Sequence, residues 1–145
     1  MDFFSALQIS ASGLTAQRIR MNVISSNLAN VQTTRTAQGG PYKRRDIVFQ
    51  AIPSPSSFHE VFTNALNDGV AEVRVVDIVT DGNPPKMRYA PNHPDADASG
   101  YVAMPNINVI EEMVNMLSAT RSYEANVTAI QSAKGMALKA LEIGR

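Results

Sequence analysis

The sequence predicts a mainly α protein with a small β-rich insertion, its long N- and C-terminal helices pairing as an antiparallel coiled-coil-like hairpin. Three observations carry that prediction. All eight prolines lie between Pro41 and Pro105, so both ends lack the residue that breaks helix interiors. Apolar residues recur at alternating three- and four-residue steps in both ends, the pattern of helices packing lengthwise on helices. The two striped ends also match in length, at roughly 45 and 54 Å for about 30 and 36 helical residues.

The first segment is residues 1–33. Phe4, Leu7, Ala11 and Leu14 open its stripe, Arg18 interrupts it, and Met21, Ile24, Leu28 and Val31 resume it. Only Asp2, Arg18 and Arg20 are charged there. The other positions are mostly Ser, Thr, Asn, Gln, Ala and Gly, where a water-facing helix would carry Glu and Lys. Such a surface suits a helix surrounded by other helices at close range. A compact chain of this length has a radius of gyration of only about 15 Å, so this helix spans the globule or projects from it. The expectation is assembly, not catalysis. Gly13 costs about 1 kcal/mol against Ala in a helix, and close helix approach is the expected reason for it. Asn30 is expected to end the helix, because Asn tolerates the left-handed conformation that closes helices.

Residues 34–105 read as strands and loops. Gly39-Gly40-Pro41 is a turn, and Asp46 to Ala51 a short strand. Ile52 to Ser57 is a loop, and Phe58 to Leu66 fits either a strand or a short helix. Val70 to Val79, rich in Val and Ile, is the strongest strand. Asp81 to Pro85 is a turn, after which Lys86 to Ala90 is expected to return antiparallel to Val70–Val79. Pro91 to Gly100 is irregular and Tyr101 to Met104 is a last short strand. So few short strands make a small knob rather than an enzyme-sized core.

The third segment is residues 106–145. Asn108 is the expected N-cap, with Glu111 three residues later as in a capping box. Glu111 and Glu112 near the start, with Lys134, Lys139 and Arg145 toward the end, complement the helix dipole. Met113, Met116, Tyr123, Val127, Ile130, Ala137 and Leu141 form the stripe, widened by Ile110, Val114, Leu117 and Leu138. Gly135 interrupts the helix and is a candidate bend.

Composition excludes several classes of function. Thirteen basic and thirteen acidic residues cancel, which gives no field for nucleic acid. The absence of cysteine excludes disulfides, thiolate metal sites and Cys nucleophiles. No run approaches 18 apolar residues, so no transmembrane helix is expected. The opening Met-Asp-Phe-Phe-Ser lacks the basic start and apolar block of a secretory signal. The expectation is a cytoplasmic protein, or one that leaves by a route that cleaves no such signal.

The candidate chemical sites are few. His93, Asp95 and Asp97 form the most site-like cluster, and Asp-x-Asp resembles the start of a calcium loop. No glutamate follows at the loop's twelfth position and prolines flank the cluster, so turn chemistry accounts for it better. A metal-binding protein or hydrolase using these three residues is the alternative reading. His59 beside Glu60 reads as a surface histidine. No Gly-x-Ser-x-Gly, catalytic triad order or phosphate-cradling loop is present. Lys43-Arg44-Arg45 reads as a solvated strand edge or a salt bridge between subunits. Asn126-Val127-Thr128 matches a glycosylation triplet but lies within a helix stripe.

At this point the motifs resemble a known family. Residues Ala11 to Gln17 ("ASGLTAQ") and Arg20 to Asn30 ("RMNVISSNLAN") resemble the N-terminal motif of bacterial flagellar rod and hook proteins. Its carriers here are Ser12, Gly13, Leu14, Asn22, Asn27, Leu28, Ala29 and Asn30. Thr33 to Thr36, Gly39 to Tyr42, Tyr89 to Met104 and Pro105 to Arg145 resemble the proximal members of the rod family. Only about Ile52 to Val70 falls outside the likeness.

The resemblance implies an architecture and a role. Paired terminal helices would form the inner layer of a helical tube, with the β-containing middle outside, and the striped residues would become subunit interfaces. The tube would run through the periplasm, transmit motor torque and wall the export channel. Its implied partners are copies of itself, other rod proteins, inner-membrane ring and adapter components, and the export apparatus. Nucleic acid, membrane insertion, cofactors and enzymatic activity are not implied. Subunits would leave the cytoplasm unfolded through the flagellar type III gate, and the free chain would be less helical than the assembled one.

Overall fold

The structure, a computed structural model, describes residues 3–53 and 71–143. Among these, the elements in order are α1 (Phe3–Ala29), β1 (Arg45–Pro53), β2 (Ala71–Thr80), β3 (Lys86–Tyr89), β4 (Tyr101–Met104) and α2 (Val109–Ile143). The expected element between Phe58 and Leu66 lies outside the described residues. The described chain is mainly helical, with 27 residues in α1 and 35 in α2, and two small sheets fall between the helices in sequence.

Both helices start or stop through side-chain chemistry. Asn108 Oδ1 accepts the Ile110 N–H at 3.1 Å, the bond expected of an N-cap. At the far end of α1, Asn30 acts by its side chain rather than by left-handed backbone. Its Nδ2 donates to the Ser26 carbonyl at 2.8 Å, and its Oδ1 accepts the Thr33 hydroxyl at 3.2 Å. No described non-glycine residue has a positive φ, so the expected left-handed closure at Asn30 is replaced by this local network.

Strands β1 and β2 form one two-stranded sheet, and β3 and β4 another. The Asp81 N–H donates to the Arg44 carbonyl at 2.8 Å, so the chain entering β1 lies beside the chain leaving β2. The expected return of Lys86–Ala90 along Val70–Val79 does not occur. Strand β3 pairs antiparallel with β4 instead, with Lys86 opposite Met104 and Tyr89 opposite Tyr101. The physical reason lies in the two connections. Pro84 and Pro85 between β2 and β3 have fixed φ angles and no N–H to donate, which disfavours closing a tight hairpin there. The longer β3–β4 loop is instead wound by successive turns. His93 N–H donates to the Ala90 carbonyl and Ala96 N–H to that of His93, each at 3.0 Å. Gly100, at φ 80°, then reverses the chain and returns its carbonyl to the Ala90 N–H at 2.9 Å.

The described chain divides into two compact units. The first takes in Met1–Ile19, Val48–Asp77 and Ala119–Arg145; the second takes in Arg20–Ile47 and Ile78–Ser118. Their interiors differ in chemistry. Among the described residues, the buried apolar side chains of the first unit are Ala16, Ala119 and Ala133. Those of the second are Ile24, Tyr42, Val102 and Ile107, together with the buried polar pair Asn27 and Glu112.

Candidate assembly surface

In the first unit the helices meet through their smallest residues. A Cβ added at Gly13 would lie 3.0 Å from the Asn126 amide nitrogen, so glycine is what lets the Asn126 side chain sit this close to α1. That nitrogen also donates to the Ser122 carbonyl at 2.9 Å. Ser12 donates its hydroxyl to the Ile9 carbonyl at 2.7 Å and accepts the Val73 N–H at 3.1 Å. Gln8 donates to Glu72. Phe3 and Ala6 of α1 with Ala133, Met136, Ala137, Ala140 and Leu141 of α2 line an open apolar groove.

The second unit is built round Asn27, which is 1% exposed. Its amide satisfies both backbone groups of Arg45, donating to the carbonyl at 2.8 Å and accepting the N–H at 3.0 Å. Asn27 Oδ1 also accepts the Tyr42 hydroxyl at 3.1 Å, and Nδ2 also donates to Glu112 Oε2 at 3.1 Å. Glu112, equally buried, receives Arg44 Nε on its other oxygen at 2.7 Å. Arg44 reaches Asp46 at 3.0 Å through Nη1. Burial pulls the Arg44 pKa down, but hydrogen bonds and charge from Glu112 and Asp46 outweigh it, so the net shift is upward. The Arg45 guanidinium sits 5.8 Å from the Tyr42 ring centroid.

The sequence pattern does not reveal this cluster: the helix dipole alone accounts for Glu112 there, and a strand edge or a contact between subunits for Arg44. One signal was present: Glu112, Met116, Ala119 and Tyr123 recur at 4-3-4 steps, so Glu112 shares a helix face with small and apolar residues.

The striped residues are distributed as follows. In α1 and just beyond it, Ile24 is buried and Leu7, Leu14, Met21, Leu28 and Val31 are half-buried, while Phe4 and Ala11 are exposed. In α2, Met116, Tyr123, Val127, Ile130 and Ala137 are half-buried, while Ile110, Met113, Leu117 and Leu141 are exposed. Ile110 is 73% exposed and Leu141 71%. Large apolar side chains therefore point outward from α2, and alanines from the same helix are buried. Of the motif residues, Asn27 and Asn30 carry the bonds given above and Gly13 the close approach, while Asn22 and Ala29 are exposed.

The His93 cluster is occupied by turn bonds. His93 Nδ1 accepts the Asp95 N–H at 3.1 Å. Asp97 Oδ1 accepts the N–H groups of Ser99 and Tyr101 at 2.8 and 2.9 Å, and Asp95 Oδ2 accepts the Thr34 hydroxyl at 2.8 Å. No group of three or more His, Asp or Glu among the described residues is arranged to hold a metal ion, so the metal or hydrolase reading is not favoured. No described helix is long and apolar enough to cross a membrane.

Comparison with known proteins closes the question of family. Residues 7–35 match the family described as flagella basal body rod protein, and residues 98–143 match the flagellar basal body rod FlgEFG protein C-terminal family. The flagellar basal-body rod protein FlgC of Borreliella burgdorferi is 46% identical over 99% of this chain and 98% of its own length. That of Bacillus subtilis is 46% identical, and that of Escherichia coli O6:H1 40%, each over the full length of both chains. The motifs at both ends, the two long helices and this full-length similarity place the chain in the FlgC family of flagellar basal-body rod proteins.

Proposed function

We propose that the chain is a structural subunit of the proximal rod, polymerising into a helical axial tube that transmits motor torque and walls the export channel. The observation that carries this reading is the outward apolar face of α2. Ile110, Met113, Val114 and Leu117 are all more than half exposed, and a contiguous apolar patch on a soluble surface marks an interaction site. The full-length similarity to proteins named as rod components supports the same reading.

The terminal helices pair antiparallel in this account, as a coiled-coil-like hairpin. Within the first unit, Phe3 and Ala6 share a groove with residues 133–141, while Gly13 meets Asn126, so residues later in α1 meet residues earlier in α2. Residues 1–33 and 106–145 then form the helical layer, and 34–105 the β-rich layer. The whole striped set faces either the hairpin partner or a neighbouring subunit. Partners are copies of this chain, other rod proteins, and the ring, adapter and export components at the rod base. The chain acts in the periplasm, after export through the flagellar type III system without a cleaved signal. Its role is structural rather than catalytic.

Replacing Leu117 with Asp tests the outward face, and Leu28→Asp tests the inner stripe. A charge buried without a partner costs several kcal/mol, so each variant is expected to be absent from purified rods and to abolish swimming. Leu117 is already exposed in the free chain, so its variant keeps the fold. Normal motility with Leu117→Asp would remove the outward face from the assembly.

A further inference from the structure

The polar cluster of the second unit borders a small cleft of about 60 Å³, whose polar walls are Arg20, Arg44, Arg45, Asp46, Glu112 and Asn115. A water in the liquid takes about 30 Å³, so the cleft fits one carboxylate group. The two carboxylates in its walls are already engaged. Glu112 receives Asn27 on one oxygen and Arg44 on the other, and Asp46 receives the Ile47 N–H and Arg44. Arg44 is therefore occupied. Half-buried Arg20 and exposed Arg45 form no ion pair among the described residues, although Arg45 sits over the Tyr42 ring. The walls carry three positive charges against two negative ones, and the surplus lies on these two guanidiniums. A guanidinium presents a planar fork of N–H donors that matches a carboxylate.

A carboxylate with the complementary need stands on the outward face of α2. Leu117 and Glu124 follow Met113 at helical steps of four and seven residues, so the three share one face. Glu124 is exposed, and among the described residues it forms no ion pair, not even with Arg121 one turn earlier. A neighbour that covers Met113 and Leu117 also takes Glu124 out of water. A carboxylate so removed needs a positive partner and its hydrogen bonds made. We propose that Glu124 of one copy docks in the Arg20–Arg45 cleft of a second copy, accepting from both guanidiniums and from the Asn115 amide. The contact joins different surfaces of the two copies, so it repeats from subunit to subunit instead of closing a pair. An apolar face alone tolerates sliding, and a charge seated in a matching cleft fixes register. The docking rests on the rod-subunit reading and gives its copy-to-copy contact a fixed point.

Two measurements on the full chain test it. In purified basal bodies, Arg20→Glu and Glu124→Arg are each expected to lower the amount of the chain at least about tenfold. The two together are expected to recover to within about threefold of the unaltered protein, because the reversed charges meet again across the contact. A purely internal role for Arg20 gives no such recovery. Losses that add, or no loss from either change, overturn the docking. The chain has no cysteine, so cross-linking reports the contact with the docking groups left in place. Val23→Cys lies on the cleft wall and Thr128→Cys one turn beyond Glu124. A chain with both is expected to give a ladder of multimers with a short bis-maleimide, where either cysteine alone gives dimers at most. The ladder in concentrated solution from a chain that never enters basal bodies keeps the docking and removes the rod reading. A chain present in basal bodies without the ladder does the reverse.

Discussion

Asn27 shows how one side chain can set local structure. A primary amide offers two donors and two acceptor lone pairs, and here it closes on both backbone groups of Arg45 while also holding Tyr42 and Glu112. The Arg44–Glu112 pair depends on the same geometry. Removing one member of a buried pair costs about 3–5 kcal/mol because the other charge is left without a partner. Arg44 is one-quarter exposed and Glu112 almost fully buried, so Arg44→Ala is expected toward the lower end of that range in urea unfolding. Arg44→Ala with Glu112→Gln should cost less than the sum of the single changes. Additive losses would show that the two side chains act independently. The raised Arg44 pKa adds a sign: its contribution is fully present below the ordinary arginine range and is lost only above it. Arg44 therefore adds no pH dependence to stability in the neutral and mildly alkaline range, which thermal melts across that range would check.

Among the elements, Gly13 gives the sharpest prediction. Ala in place of Gly favours a helix interior by about 1 kcal/mol, yet the new methyl would stand 3.0 Å from the Asn126 amide. That amide is tethered to the Ser122 carbonyl at 2.9 Å, which resists the shift of a few tenths of an ångström that the methyl requires. Gly13→Ala alone is expected to weaken rod assembly, and Gly13→Ala with Asn126→Ala to restore it. Assembly unchanged by Gly13→Ala would mean that the close approach has no role. The helices were legible from proline placement, stripe spacing and the Asn108 cap, all of which are local signals. The pairing of β3 was not legible. Its partner is chosen by the Pro84-Pro85 break and by the turn bonds of Asp97 and Gly100, and their geometry is not a periodicity. The fully buried face of α2 was also hidden, because Ile110, Met113, Leu117 and Leu141 of its stripe are left exposed, and Glu112, Ala119 and Ala133 take its buried places.

For the whole molecule, this inversion is the main physical point. A helix such as α2, which buries Ala119 and Ala133 and exposes Ile110, Met113, Leu117 and Leu141, has placed much of its hydrophobic driving force outside the chain. Such surfaces lead to helical polymers when the contact is head-to-tail and does not close. The FlgC family membership and the exposed α2 face point to the same conclusion from independent directions. An image of purified basal bodies at side-chain resolution tests it most directly. The account predicts this chain in the proximal rod, its terminal helices antiparallel with Gly13 against Asn126, and Ile110, Met113 and Leu117 covered by neighbouring subunits. A rod that lacks this chain, or one in which that face of α2 lies open to water, would contradict it.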